Sequence, residues 1–320
     1  WLHLRQQPTI PTRGGSRTPV RTTCPMSPAV QPPIDASTSL LAVIGQPIHH
    51  SLSPLMHNAA LAELGRNWRY MGLEVAPERL AQAITGLAAV GCRGLSVTIP
   101  HKEQVQPLLS GMDPLAAAVG AVNCLIPDGN GGWRGTNTDV MGFVAPLQGQ
   151  LRPGGTALVL GSGGVVRAVL RGCCDLGVER VVLRGRNRHK LEALARDVAD
   201  WAPPLTLSSP DEALEPHLAC SSLVVNGTPL GMADLKDQSP LSVEQLAQLP
   251  PEATVYDVVY TPRPTKLLRL AAARQLRTID GLEMLVQQGA AALKLWTGLE
   301  QVPDAVMRQA AAAWLDARQP

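Results

Sequence analysis

Residues 156–164 read Thr-Ala-Leu-Val-Leu-Gly-Ser-Gly-Gly, and this stretch decides how the second half of the chain folds. Thr156 to Leu160 is a short apolar run, which predicts a buried β-strand. The glycine-rich turn 161–164 follows at once and leads into a helix predicted from Val165 to Leu176. Such a turn lets the backbone approach a pyrophosphate, which the unpaired N–H groups of the helix bind. A tight turn without a ligand is the alternative, because Val166 replaces the third glycine of G-x-G-x-x-G.

The next predicted strand indicates which dinucleotide would bind. Val181 to Leu183 forms this strand, and Arg184, Arg186 and Arg188 follow it with no acidic residue among them. NAD-binding proteins place a carboxylate at this point for the ribose hydroxyls, whereas arginine binds a 2′-phosphate through two hydrogen bonds. We therefore expect NADP rather than NAD, the alternative being an exposed basic loop.

Strand and helix signals alternate through the rest of the chain. Further strands are predicted at 40–44, 68–73, 95–99, 223–225 and 254–259, and further helices at 53–64, 77–90, 282–296 and 304–316. Two more helices are predicted to begin near His101 and near Asp139. This alternation predicts an α/β protein with largely parallel sheets. We expect an α/β domain at 39–148, a Rossmann-type doubly wound domain at 149–280, and C-terminal helices at 281–320 that return to the first domain.

The first 38 residues differ from the rest in composition. They are rich in Arg, Pro, Ser and Thr and contain no acidic residue before Asp35. Such a composition does not support a packed core, so we expect a disordered leader. Because the chain opens with Trp1 and Met26 precedes the first strand, we favour a start site assigned too far upstream. A transit peptide is the alternative.

Composition excludes several classes of protein. The chain has 320 residues, is 45% hydrophobic and 17% charged, and is typical of globular proteins. A net charge of +2 argues against a nucleic-acid partner, and no apolar run approaches the roughly 20 residues that span a bilayer. The six cysteines show no zinc or redox spacing, so we expect reduced thiols in the cytoplasm. We expect no metal, because no cysteine or carboxylate completes a set with His49, His50 and His57.

Polar residues stand at the ends of predicted elements in the first half. Ser51 and Ser53 precede a helix, where hydroxyls can bind a carboxylate, although the spacing equally fits an N-cap at Ser53. Lys102 lies beyond the strand at 95–99, at the edge of the sheet where ligands bind in α/β proteins. An ammonium there can protonate a carbonyl oxygen as hydride reaches the carbon, and Asp139 is the candidate that orients it. Either residue alone is better explained as a solvated charge.

Eight motifs, in order from about residue 40 to residue 316, resemble those of the shikimate dehydrogenase family. They are Ser51-x-Ser53-Pro54, Ser96-Val97-Thr98-Ile99-Pro100-His101-Lys102-Glu103, Gly120-Ala121-Val122-Asn123, Asn137-Thr138-Asp139, Gly161-Ser162-Gly163-Gly164, Asn226-Gly227-Thr228-Pro229-Leu230-Gly231-Met232, Tyr256-Asp257-x-x-Tyr260-x-Pro262 and Asp280-Gly281-x-x-Met284-Leu285-x-x-Gln288. An ordered set of this kind is far more specific than any one motif.

The resemblance implies NADPH-dependent reduction of 3-dehydroshikimate to shikimate, with Lys102 as catalytic acid/base and Asp139 as its partner. The implied substrate contacts are Ser51 and Ser53 for the carboxylate, and Ser96, Thr98, Lys102, Asn123, Asp139 and Gln288 for the ring hydroxyls, with Tyr260 nearby. The implied NADP contacts are Gly161, Ser162, Gly163, Gly164, Val165, Arg184, Arg186, Asn226, Thr228, Val258 and Gly281. A monomer or homodimer is also implied.

Three positions depart from the family's pattern. Ser96 stands where many members carry asparagine, Val140 where glycine is usual, and Gly185 where asparagine commonly precedes the phosphate-binding arginine. None of these changes removes a proposed catalytic group. Two alternatives stay open: a quinate or aminoshikimate dehydrogenase on the same scaffold, and a non-catalytic NADP-sensing regulatory protein. The second would be expected to lack Lys102 or Asp139.

Overall fold

The computed structural model describes residues 31–151 and 153–318, which form two six-stranded sheets. The first sheet has the strand order β2-β1-β3-β5-β6-β4. Its strands are β1 (Ser39–Gly45), β2 (Trp68–Glu74), β3 (Leu95–Val97), β4 (Gly111–Met112), β5 (Cys124–Pro127) and β6 (Trp133–Thr136). The helices among them are α1 (Ser53–Glu63), α2 (Leu80–Ala89), α3 (His101–Gln104), α4 (Pro114–Val119) and α5 (Asp139–Val144). β5 alone runs against the other strands of this sheet, which is therefore largely parallel, as predicted.

The second sheet is fully parallel, with the strand order β12-β11-β10-β7-β8-β9. Its strands are β7 (Thr156–Leu160), β8 (Arg180–Arg184), β9 (Leu205–Ser208), β10 (Ser221–Asn226), β11 (Thr254–Asp257) and β12 (Arg277–Ile279). Its helices are α6 (Gly164–Asp175), α7 (Arg188–Asp197), α8 (Glu215–Leu218), α9 (Val243–Leu246) and α10 (Lys266–Ala273). Counted from β7, this is the doubly wound dinucleotide-binding order, which reverses between β7 and β10. The predicted α/β class is confirmed.

Strand β7 shows why the sequence favours this architecture. Every residue of this strand is buried, because helices cover both faces of a parallel sheet. Ala157 and Val159 pack with α6 in one core cluster, whereas Leu158 and Leu160 pack with α10 in another. A continuous apolar run is therefore required here rather than an alternating one.

The last two helices, α11 (Gly281–Thr297) and α12 (Asp304–Asp316), return to the first sheet, as predicted. Val286, Leu293 and Met307 pack in one core cluster with β1 and α1. The indole Nε1 of Trp296 donates a hydrogen bond to the backbone carbonyl of Leu125 at 3.0 Å. A helix that begins at the end of the second sheet is thereby fixed to the first.

The structure differs from the prediction in short elements. The strand at 95–99 ends at Val97, and the helix at 77–90 begins with a 3-10 turn, Pro77–Arg79. Elements missed in the sequence are β4, β5, β6, β9, β12, α4, α7, α8, α9 and α10. Most of the predicted leader lies outside the described residues; in its described part, Thr38 hydrogen-bonds Asn67 through its side chain. In residues 31–151 and 153–318, no helix has the length and apolar character to cross a membrane.

The contact between α5 and α11 depends on a glycine. A Cβ atom at Gly142 would lie 2.7 Å from the carbonyl oxygen of Met284 and 2.8 Å from the Cβ of Gln288. Both contacts are with the body of α11 rather than with the end of a flexible side chain. Gly86, in α2, is a helical glycine whose added Cβ would meet nothing within 4 Å.

We expect Gly142→Ala to lower the free energy of unfolding by about 1–3 kcal/mol, the usual cost of overpacking a core. Gly86→Ala is the matched control, and it should be neutral or stabilising by up to ~1 kcal/mol, because alanine favours a helix. Urea unfolding of both variants measures this difference. Equal effects of the two substitutions would contradict the close approach of α5 and α11.

Candidate active site

A cavity of about 210 Å³ brings together residues that are far apart in the sequence. All the residues predicted to contact substrate line it: Ser51, Ser53, Ser96, Thr98, Lys102, Asn123, Asp139, Tyr260 and Gln288. Three residues predicted to contact the cofactor line it as well: Val165, Val258 and Gly281. The cavity is therefore built from both sheets and from α11.

The ion pair of Lys102 and Asp139 lies in this cavity. The lysine Nζ is 2.6 Å from the aspartate Oδ2, and the two side chains are 23% and 12% exposed. Lys102 comes from α3, which follows β3, and Asp139 is the first residue of α5. A pair that is partly buried but open to the cavity can still contact a ligand.

Asn123 fixes the orientation of the Asp139 carboxylate. Its amide Nδ2 donates to the other carboxylate oxygen of Asp139 at 2.8 Å and to Thr138 Oγ1 at 3.0 Å. Its carbonyl oxygen accepts from the backbone N–H of Thr138 at 2.7 Å. Gln288 Oε1 lies 3.5 Å from the same amide nitrogen. The carboxylate therefore has a fixed orientation, with Oδ2 directed at the lysine.

Ser51 and Ser53, at the start of α1, do not form a simple N-cap. Helix α1 begins at Ser53 itself, and the cap position is Leu52, whose side chain has no polar group. Ser51 Oγ accepts the backbone N–H of Ser53 at 3.3 Å, and both serines face the cavity. The cavity wall thus presents two hydroxyls beside the N-terminus of an 11-residue helix, where a carboxylate is favoured.

The glycine turn lies where the strand order of the second sheet reverses. Leu160, Asn226 and Asp257 are aligned in register, so the turns that follow them meet at one edge. Gly161 has a φ of +115°, and a Cβ there would lie 2.8 Å from the carbonyl oxygen of Gly227. Only glycine suits that position.

The start of α6 is open, as a dinucleotide would require. Gly163, the N-cap residue, has no side chain with which to cap the first turn. Added Cβ atoms at Gly163 and Gly164 would meet nothing within 4 Å. Free N–H groups and open space at a helix N-terminus fit a pyrophosphate. Ser162 lies in this turn, and Val165 extends from it into the cavity.

The two arginines predicted for the cofactor have different surroundings. Arg184 donates to Ser208 Oγ at 2.6 Å and to the backbone carbonyls of Pro210 and Glu212 at 3.1 Å each. Arg186 is exposed, and its guanidinium makes no hydrogen bond or ion pair within the described part of the chain. Arg184 thus braces the loop after β9, a role that no local sequence pattern indicates, and Arg186 is the one available to a ligand.

Asn226 and Thr228 shape their own loop. Asn226 is completely buried, and its amide donates to Asp257 Oδ1 at 2.9 Å and to the carbonyl of Leu230 at 3.0 Å. Its oxygen accepts from the Thr228 hydroxyl at 2.7 Å. Burial raises the pKa of Asp257 to about 6, although hydrogen bonds from Thr265, Val259 and Asn226 oppose that rise. These contacts fix the loops after β10 and β11.

Sequence reasoning missed the remaining lining of the cavity, which is mostly apolar: Val43, Ile48, His50, Val97, Met284 and Leu285. Met284 and Leu285 belong to one of the family motifs, and His50 adjoins Ser51. The sequence therefore contained a signal for these three residues. Val43 and Val97 read as ordinary strand core. In the part of the chain that the structure describes, no three His, Cys, Asp or Glu side chains are grouped as a metal ion would need.

Comparison with known proteins gives a consistent result. Residues 43–125 match the model of the shikimate dehydrogenase substrate binding domain, and residues 281–312 match that of the shikimate 5'-dehydrogenase C-terminal domain. A shikimate dehydrogenase (NADP(+)) of Synechococcus sp. (strain JA-3-3Ab) is 54% identical over 281 residues, covering 87% of this chain and 94% of that protein.

Solved structures agree with the sequence matches. Shikimate 5-dehydrogenase from Thermus thermophilus, in complex with NADP(H) and shikimate, superimposes with a TM-score of 0.76 at 35% identity, covering 86% of this chain and 99% of that one. Quinate dehydrogenase from Corynebacterium glutamicum, in complex with NAD, gives a TM-score of 0.79 at 30% identity, with 86% and 99% covered. On these matches and the geometry above, the chain belongs to the shikimate dehydrogenase family.

Proposed function

We propose that this protein is an NADP-dependent shikimate dehydrogenase, which reversibly reduces 3-dehydroshikimate to shikimate. The observation that carries the proposal is the Lys102–Asp139 pair, 2.6 Å apart, in a cavity that Ser51 and Ser53 also line. An acid and two hydroxyls that can bind a carboxylate, together in one small cavity, suit a substrate that carries a carboxylate and a carbonyl. This family assignment also favours catalysis over a purely NADP-sensing role.

The substrate is positioned by groups that are fixed before it binds. Ser51 and Ser53 hold the carboxylate beside the N-terminus of α1, whose dipole favours an anion. Thr98, Asn123 and Gln288 contact the ring hydroxyls, with Ser96 and Tyr260 alongside. Fixing the ring in this way places the carbonyl oxygen next to Lys102, and such positioning supplies much of the rate enhancement when two substrates react.

Lys102 transfers the proton to and from the substrate oxygen. The carbonyl carbon would receive its hydride from NADPH held at the neighbouring turn. Lys102 Nζ then donates a proton to the oxygen of the substrate, and Asp139 keeps the ammonium directed at that oxygen. In the reverse reaction the lysine takes the proton from the hydroxyl. Asp139 does not itself contact the reacting carbon; it orients the acid.

The cofactor contacts follow from the open groups on the second sheet. The turn Gly161 to Val165 would hold the pyrophosphate, and Arg186 the 2′-phosphate. Val258 and Gly281 would border the nicotinamide. For Arg184, Asn226 and Thr228 we propose an indirect role, since their polar groups already hold the loops that shape this surface.

We further propose a division of the chain into parts. Residues 39–148, together with 281–320, bind substrate, and residues 149–280 bind NADP. The described cysteines are all free thiols, which supports a cytoplasmic enzyme. We propose that it acts as a monomer or homodimer.

We expect Lys102→Ala to lower kcat by about 10²- to 10⁴-fold, the usual contribution of a general acid, while NADP affinity stays near that of the wild type. Initial rates of NADPH formation from shikimate, with NADP binding measured by calorimetry, test this. Lys294→Ala, an exposed lysine on α11, is the matched control and should keep full activity. Turnover by Lys102→Ala equal to that of the wild type would refute the assignment.

The wild-type protein should be assayed in parallel with quinate and with NAD. Activity that favours quinate or NAD would leave the pair in place but overturn the substrate or cofactor assignment. Absence of activity with every combination would support a regulatory protein.

We expect Arg186→Ala to raise KM for NADP at least tenfold, since a charge-assisted bidentate contact is worth about 1.5–3 kcal/mol. KM for NAD, which lacks the 2′-phosphate, should be unchanged. Arg196→Ala removes the same charge from the exposed end of α7 and is the control. If Arg186→Ala raises KM for NADP and KM for NAD by the same factor, this arginine does not bind the 2′-phosphate.

A further inference from the structure

Tyr70 is a buried polar residue directly behind the cavity. It comes from β2 and is 2% exposed, and its ring stacks on His57 with centroids 4.2 Å apart and planes 8° apart. The ring of Trp296 packs against that of Tyr70, with centroids 6.0 Å apart. The ring therefore sits in a fixed aromatic stack between β2, α1 and α11.

The backbone of Tyr70 is held as firmly as its ring. The Asn58 amide donates to the Tyr70 carbonyl at 2.8 Å, and the Tyr70 N–H donates to the Asn58 oxygen at 3.0 Å. Asn58 belongs to α1, the helix that begins at Ser53. Tyr70 is thus fixed to the helix that begins at Ser53.

The hydroxyl of this tyrosine contacts the cavity wall. It donates to Ser96 Oγ at 2.7 Å, and Ser96 lines the cavity. Burial raises the pKa of Tyr70 above its usual range, while hydrogen bonds with Ser96 and Ser53 oppose the rise. The phenol therefore stays protonated and lies close to serines from both β3 and α1.

The hydrogen bond from the Tyr70 O–H to Ser96 Oγ restricts where the Ser96 hydroxyl proton can point. With one lone pair of Ser96 Oγ occupied by the Tyr70 O–H, its own proton is free to be donated to another acceptor. Ser96 is only 8% exposed, and that exposure is toward the cavity, where substrate would lie. A short serine side chain is in this way held in the orientation that reaches a ring hydroxyl.

We propose that Tyr70 is a positioning residue for substrate: through its hydroxyl it orients Ser96 toward a ring hydroxyl of the bound substrate. This rests on the proposed function, because the substrate it serves is the polyhydroxylated ring acid of that reaction. Tyr70 touches neither the reacting carbon nor the cofactor surface. Its loss should therefore weaken substrate binding without slowing the proton or hydride step.

The test is Tyr70→Phe, which removes the hydroxyl and keeps the aromatic stack. We expect KM for shikimate to rise about 3- to 10-fold, the size of one neutral hydrogen bond. kcat and KM for NADP should stay near wild-type values, since uniform binding loss raises KM alone. Loss of the buried hydrogen bond to Ser96 should lower the thermal midpoint by only a few degrees. Tyr256→Phe is the matched control: that tyrosine is also buried and stacked, on Phe143, but its hydroxyl has no partner among the described residues.

A cycle with Ser96→Ala shows whether Tyr70 acts through the serine. We expect Tyr70→Phe to have no further effect on KM in the Ser96→Ala background. The proposal is overturned if Tyr70→Phe leaves KM for shikimate unchanged, or if its effect multiplies fully with that of Ser96→Ala. It is also overturned if kcat and KM for NADP change by as large a factor as KM for shikimate. Inactivity of the wild type with shikimate would instead refute the proposed function.

Discussion

The contact on which the site depends is the 2.6 Å ion pair between Lys102 and Asp139. It joins α3 to α5, two helices that follow different strands of the first sheet. Asn123 takes the second carboxylate oxygen, so Asp139 has one free direction, and that direction is toward the lysine. An unpaired lysine on a loop would sample many positions, whereas this one is held at a cavity wall. The geometry of the proposed proton transfer is thereby set before substrate arrives.

Two features place that pair against a cofactor surface. The first is the reversal of strand order at β7 and β10, which gathers the turns at Gly161 and Gly227 at one sheet edge. The second is α11, which starts at Gly281 on that edge and carries Gln288 to the cavity. Because α11 packs closely on α5, the end of the second sheet and the Asp139 helix share one rigid contact. The proposed substrate and cofactor surfaces are therefore neighbours.

The sequence predicted the α/β class, most of the long elements and two thirds of the residues that line the cavity, but not the roles of every polar group. Continuous apolar runs such as Thr156–Leu160 are clear signals because a parallel strand is buried on both faces. Two- to four-residue strands such as β4 and β5 leave too few residues for a periodic pattern. The hydrogen bonds of Arg184 to the end of β9 and to the loop after it could not be predicted, because their partners are more than 20 residues away in sequence. Long-range hydrogen bonds of that kind, like that of Tyr70 to Ser96, become visible only in three dimensions.

A double-mutant cycle on Lys102 and Asp139 tests whether the two side chains act as one unit. Lys102→Met, Asp139→Asn and the double variant would be compared with the wild type by kcat for shikimate oxidation with NADP. If the aspartate acts by orienting the lysine, the double variant should be no slower than Lys102→Met alone, because residues that act as a unit are not additive. If the two losses multiply, Asp139 contributes independently of Lys102, and the account of a single proton-transferring pair is wrong.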